Sequence, residues 1–166
     1  MPFLIVFISK SKKFLIHFGL LKAVSLIIKL FCIFVIKKIK KMIKFLLTLF
    51  FCHFLADFTH LSNKWMLNAK KLGSPYLPII AHAAIHSGLM SLSLIFFGVE
   101  FYKIAIVFVL QLITHFGIDL LKGKMNYWFP KLQDPANKWR WIVFGFDQYL
   151  HSIVIILLSY YLAYVI

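Results

Sequence analysis

Apolar residues run along this chain in long blocks that short polar clusters interrupt. Four blocks, at about residues 43–60, 77–98, 102–121 and 141–165, come close to the roughly 20 residues with which an α-helix crosses a bilayer. The pattern predicts an all-α fold: an integral membrane helical bundle with four core transmembrane helices and an extra N-terminal helix. After the first block, "SNKWMLNAKKLGSPYLP" holds Gly73, Pro75 and Pro78, which favour a turn and a helix start. Only a few residues around "GVEFYK" separate the second and third blocks, so those helices should be antiparallel neighbours. The link "KGKMNYWFPKLQDPANKWRW" mixes Trp, Tyr, Lys and Arg as membrane interfaces do, and reads as an irregular or short amphipathic surface segment.

Residues 1–41 differ from the rest. They contain no acidic residue, and Lys10, Lys12, Lys13, Lys22, Lys29, Lys37, Lys38, Lys40 and Lys41 punctuate Phe, Ile, Leu and Val. Residues 14–36 fit a membrane helix if Lys22 and Lys29 snorkel or find partners, or an amphipathic surface helix. We therefore divide the chain into a basic apolar extension, 1–41, and a four-helix transmembrane domain, 42–166. Met42 is a candidate natural start, which the intact mass of the native protein would decide.

Composition strengthens the membrane assignment. The chain is 62% hydrophobic and 14% charged, where soluble domains are about half apolar and about a quarter charged. The surplus reads as surface facing lipid. A net charge of +14 sits mostly at the ends of apolar blocks, where anionic headgroups lie. No motif points to a specific nucleic-acid partner. Cys32 and Cys52 lie in apolar runs without a CxxC pattern and read as small buried hydrophobes. Lys10, Lys12 and Lys13 follow the first apolar patch instead of preceding it, unlike a secretory signal. The expected location is the plasma (inner) membrane, with several passes. The pattern fixes no oligomeric state.

Against this apolar background four polar pairs stand out. The first block carries His53 and Asp57, the second His82 and His86, the third His115 and Asp119, the fourth Asp147 and His151. Each is spaced i,i+4, which puts both side chains on one helix face. Random placement of 7 His and 5 acidic residues would give about one such pair. The pairs lie late, early, late and early in their blocks, so an up-down-up-down bundle gathers all of them at one membrane face. Loops on that side hold Lys64, Lys70, Lys71, Lys122, Lys124, Lys131, Lys138 and Arg140, against Lys44 and Lys103 opposite in a chain starting at Met42. The positive-inside rule then puts the site near the cytoplasmic face, although Lys37, Lys38, Lys40 and Lys41 count the other way.

Five imidazoles and three carboxylates converging in a bundle suit a divalent metal site. His53, Asp57, His82, His86, His115, Asp119, Asp147 and His151 are the candidate ligands, and Asp57, Asp119 and Asp147 the candidate catalytic carboxylates, one acting as general base. Mixed imidazole and carboxylate favours Zn, Mn or Fe, as one ion with supporting partners or as two ions. Such a site activates water, and an anionic lipid headgroup or lipid-linked phosphate lies at the right depth, with Lys122, Lys124 or Arg140 to attract it or simply to anchor headgroups. His60, three residues past Asp57, is a further ligand or an interface residue. Gln111 and Gln148 are supporting candidates, and His17 has no evident partner. The pairs also admit a proton relay or simple helix-to-helix hydrogen bonding.

The ordered series "HFLADFTHLSNKWMLNAKK", "HAAIH", "HFGIDLLKG" and "DQYLH" resembles the multi-pass membrane family known as domain of unknown function 3307, found in bacteria and phages, over about residues 43–155. That family's first motif reads HxxxDFxxQ. Asp57 and Phe58 match it, and Leu61 stands where the Gln would fall. Trp65, Lys70 and Lys122 match loosely. The resemblance implies the fold and the site, and no activity. A looser likeness to membrane metal-dependent hydrolases with His/Asp motifs in helices is an analogy of arrangement. The function expected is metal-dependent hydrolysis of a lipid-linked or phosphate-containing substrate. The alternatives are a small proton or divalent-metal transporter or channel, and a structural membrane protein.

Overall fold

The computed structural model describes the backbone of residues 2–165 and the side chains of residue 22 and residues 24–164. The helices are α1 (Pro2–Phe58), α2 (Lys64–Leu72), α3 (Tyr76–Phe96), α4 (Phe101–Trp128) and α5 (Lys138–Tyr160), with a 3₁₀ turn at Pro130–Gln133 and a π turn at Tyr161–Val165. The described residues contain no strand, and the fold is an all-α bundle. The chain divides into two compact units, residues 1–41 and 42–166. In the first, Leu26, Ile27, Ile28, Leu30, Phe31 and Phe34 are exposed. The side chain of His17 lies outside the described residues.

In the second unit, three helices are long and apolar enough to cross a membrane: α3, α4 and Lys138–Tyr164. These account for three of the four expected spans. Residues 42–58 pack beside them as the fourth helix of the bundle. Phe45, Leu49 and Cys52 join Met90, Leu94, Ile104, Val107, Ile155, Leu158 and Leu162 in one buried apolar core. The α3–α4 connection is a tight hairpin in which Gly98 takes φ +65, a left-handed conformation that suits glycine. Its N–H donates to the Ile95 carbonyl oxygen (2.9 Å), so the antiparallel pair is closed locally. At 28 residues and 1.5 Å per residue, α4 is about 42 Å long. A hydrocarbon core is about 30 Å thick, so α4 is longer than an untilted crossing requires.

Two links are more ordered than the sequence pattern suggested. The stretch after α1 contains a helix, α2, where a turn was expected. Its start is set by Asn63, whose Oδ1 accepts from the Met66 N–H (3.0 Å), and its end by Gly73 at φ +65. Between α4 and α5 only the residues around Pro130 and Pro135 leave the helical state, because α4 continues to Trp128 and Asn137 caps α5 through the Trp139 N–H.

The position of α2 depends on a contact between two glycines. A Cβ added at Gly123 of α4 would lie 2.5 Å from Gly73 Cα and 2.8 Å from the Lys70 carbonyl oxygen. Backbone meets backbone here, and no side chain can yield. Gly117→Ala, in the same helix with open space around its Cβ, should leave the melting temperature unchanged or raise it, since alanine is favoured over glycine by about 1 kcal/mol within a helix. Gly123→Ala should lower it by several degrees, because overpacking of this kind costs about 1–3 kcal/mol. Thermal unfolding of both variants in detergent checks the opposite signs. Equal effects would show that α2 is not seated through Gly123.

Candidate metal centre

The four i,i+4 pairs meet at one end of the bundle. His53 and Asp57 come from the last turns of α1, His82 and His86 from the first half of α3, His115 and Asp119 from α4, and Asp147 and His151 from α5. Seven of the eight are buried, and Asp57 is partly exposed. His115 is the hub of the imidazoles. Its ring centroid is 3.8 Å from that of His86, 4.3 Å from His151, 5.2 Å from His82 and 5.6 Å from His53. Asp119 is the hub of the carboxylates, with His115 Nε2 at 3.3 Å, His82 Nε2 at 3.6 Å and His151 Nε2 at 3.8 Å. Asp57 lies 3.4 Å from His53 Nε2, 3.2 Å from His82 Nε2 and 3.5 Å from His86 Nε2.

The surrounding hydrogen bonds fix which imidazole nitrogens face inward. Ser62 Oγ donates to the Ala56 carbonyl oxygen (2.7 Å), so at 3.0 Å it accepts from His82 Nδ1. That tautomer leaves the His82 Nε2 lone pair facing the cluster. His151 Nδ1 donates to the Asp147 carbonyl oxygen (2.8 Å), with the same result. Gln111 sits 3.5 Å from His115 Nδ1 through its Nε2, while its Oε1 has no partner. With the amide turned end for end, Gln111 Oε1 would accept from His115 Nδ1, which again leaves the His115 Nε2 lone pair inward. His53 and His86 share a hydrogen bond between their Nδ1 atoms (3.1 Å), one donating and the other accepting, so in the neutral pair the acceptor carries its proton on Nε2, facing Asp57, and gives it up when an ion binds there. Outer partners of this kind orient metal-binding imidazoles.

Most of what faces inward makes no hydrogen bond. The Nε2 atoms of His53, His86, His115 and His151, Asp119 Oδ2 and Asp147 Oδ1 are buried without one, and Asp119 Oδ1 is met by the Lys70 ammonium at 3.0 Å. Unsatisfied buried polar atoms each cost about 1–3 kcal/mol, and folded proteins keep few of them. Here they gather in one place with the chemistry of a donor set for a borderline metal ion. Four overlapping triads could hold an ion, each with ligand atoms within 4.8 Å of one another: His53–His86–His115, Asp57–His82–His86, His82–His115–Asp119, and Asp119–Asp147–His151.

Other candidates fall in different places. His60 is exposed and outside these triads, because α1 ends at Phe58 and the helical register does not reach it. Gln148 Nε2 donates to Asp147 Oδ2 (3.2 Å). Lys122 pairs with Asp147 Oδ2 at 2.7 Å, and Lys124 lies over the Tyr76 and Tyr127 rings.

One member reads from the sequence only as a loop lysine and a loose family match, not as part of the site. Lys70 of α2 is buried, with its ammonium 3.0 Å from Asp119 Oδ1, 3.3 Å from Asp57 Oδ1 and 3.0 Å from His82 Nε2. Burial alone would favour the neutral amine; the carboxylates of Asp119, Asp57 and Asp147 outweigh it and raise the pKa above the ordinary lysine value. Three carboxylates thus face two ammonium groups, Lys70 and Lys122. With neutral imidazoles the cluster keeps one negative charge, which a single divalent ion more than compensates.

No curated protein and no solved structure is similar to this chain. Residues 45–166, which contain all eight clustered His and Asp residues and Lys70, match the family described as Protein of unknown function (DUF3307), and the chain belongs to that family.

Proposed function

We propose that this protein is a multi-pass membrane protein of the plasma membrane that binds a divalent ion, Zn, Mn or Fe, in the His/Asp cluster and uses it to hydrolyse a lipid-linked, phosphate-containing substrate. The observation that carries this reading is the convergence of imidazole nitrogens and carboxylate oxygens, many of them buried without a hydrogen bond, at one end of the bundle. A bound ion would supply Lewis acidity and acidify water there. Of the three carboxylates, Asp57 lines the open cavity beside the cluster, which suits a general base that must meet substrate. Asp119 and Asp147 are buried, which suits holding the ion. Lys70 would stabilise negative charge gathering between Asp57 and the substrate.

The transport reading needs a polar path through the opposite half of the bundle. That half is filled by Leu49, Met90, Leu94, Val107 and Ile155, each without exposed surface. Thr48 and Ser93 bond to carbonyl oxygens of their own helices, and Ser91 Oγ is buried there without a hydrogen-bond partner. A site closed on one side fits chemistry at the membrane face better than passage through it.

Elemental analysis of the detergent-purified protein tests the metal. Wild type should carry a stoichiometric Zn, Mn or Fe, and the Asp57→Asn/His115→Ala variant less than about a tenth of it, since removing two ligands of such a site costs several powers of ten in affinity. A metal-free wild type would overturn the proposal. Metal without hydrolysis across a panel of phospholipids would remove its enzymatic half.

A further inference from the structure

Beside the cluster lies a cavity of about 330 Å³, bounded by the end of α1, α2, the last turns of α4, the 3₁₀ turn and the start of α5. That volume is at the lower end of small-molecule sites. Its wall carries Lys70, Lys71, Lys122 and Arg140 against one carboxylate, Asp57. Lys70 and Lys122 lean back onto Asp119 and Asp147. Lys71 is exposed. Arg140 donates from one guanidinium nitrogen to the Gln133 carbonyl oxygen, which ties the fork to the cavity wall. The rest of the wall is largely apolar, and Phe58, Leu67 and Phe144 continue from it onto exposed surface.

Depth narrows the choice of ligand. All four tryptophans of the chain, Trp65, Trp128, Trp139 and Trp141, are exposed on the segments that surround this end of the bundle. Tryptophan concentrates at the level of lipid headgroups. A cavity at that level whose wall carries both cations and apolar side chains matches a molecule with an anionic head and an apolar tail.

We propose that this cavity binds the phosphate headgroup of a membrane amphiphile, with Lys71 and Arg140 gripping the phosphate beside Asp57 and the chain leaving over Phe58, Leu67 and Phe144. This names the substrate class of the centre described above, and in its catalytic meaning it rests on that reading. Binding itself needs only the cavity.

Calorimetric titration of the full chain in dodecyl maltoside, stripped of metal by chelator, tests binding apart from the metal. The probes are dioctanoyl phosphatidic acid, dioctanoylglycerol and inorganic phosphate. The phosphatidic acid should bind at least about tenfold more tightly than either of the others, and Lys71→Glu should weaken it at least about tenfold, as should Arg140→Gln, because charge-assisted bonds to phosphate would be lost. Lys71 is exposed, so its variant should keep the wild-type melting temperature. Equal binding of dioctanoylglycerol would overturn the anionic site. Inorganic phosphate binding as tightly as the lipid would overturn the amphiphile, and insensitivity to Lys71→Glu and Arg140→Gln would overturn the assigned cavity. Lipid binding by a protein that never retains metal would keep this site and remove the metal-dependent reading. Metal retention without lipid binding would do the reverse.

Discussion

Asp119→Ala is expected to destabilise the protein by about 3–5 kcal/mol and to abolish metal retention. No part of the Asp119 side chain is exposed, and it connects components from four helices. Lys70 of α2 is 3.0 Å away, His82 of α3 3.6 Å, His115 of its own helix 3.3 Å and His151 of α5 3.8 Å. Alanine removes the nearer of the two carboxylates that hold the Lys70 ammonium, leaving Asp57 at 3.3 Å, and truncating one partner of a buried ion pair costs more than the pair is worth. His115 loses its carboxylate partner, His82 and His151 keep only Asp57 and Asp147, and the triads His82–His115–Asp119 and Asp119–Asp147–His151 lose a ligand. Asp119→Asn separates the two effects. The amide keeps the size and can still accept from Lys70, so stability should fall less, while metal content should fall as far. Thermal unfolding in detergent, read beside elemental analysis, gives both quantities. At about 2–4 °C per kcal/mol for a chain of this size, the alanine variant should melt roughly 10 °C lower. Wild-type melting and metal content in Asp119→Ala would show that this carboxylate is a bystander.

The eight-residue cluster was legible because helical periodicity is a strong local signal. Each of the four pairs places two groups on one face, and alternating helix direction brings the faces to the same end. Nothing beyond i,i+4 spacing and block order is needed for that. His60 shows where such an inference ends: its i+3 spacing from Asp57 holds only inside a helix, and α1 stops at Phe58. Lys70 shows a different limit. Its main partners Asp57 and Asp119 lie 13 and 49 positions away, and no local pattern marks a lysine as buried. The helix that carries it was in principle visible. Asn63 and Gly73 bracket it as cap and stop, and Met66, Ala69, Lys70 and Gly73 fall at i, i+3, i+4 and i+7 on one face. Three small or apolar residues in that row leave Lys70 pointing the same way, towards the bundle. The Gly73–Gly123 contact that allows the approach joins two segments far apart in the chain, so it emerges only from the folded structure.

Lys70→Met should make stability depend on metal far more steeply than in wild type. In the metal-free protein the Lys70 ammonium is the cation nearest to both Asp57 and Asp119, and Lys122 serves Asp147. Methionine fills similar space without charge, so buried Asp119 and partly exposed Asp57 lose their nearest cation, at a cost of about 3–5 kcal/mol. A divalent ion restores it. Binding to the folded state alone adds about 2.7 kcal/mol at a ligand concentration of 100 times Kd, and more if Kd falls because a repelling ammonium has gone. The difference in melting temperature between metal-loaded and chelator-treated protein should therefore be larger in Lys70→Met than in wild type, with the chelated variant melting lowest of the four samples. Lys71→Met, one residue along and exposed, should leave the wild-type difference unchanged. An equal gap in Lys70→Met and wild type would mean that the ammonium and the metal do not share a site. A larger gap would identify Lys70 as a tethered cation that keeps the metal-free centre folded.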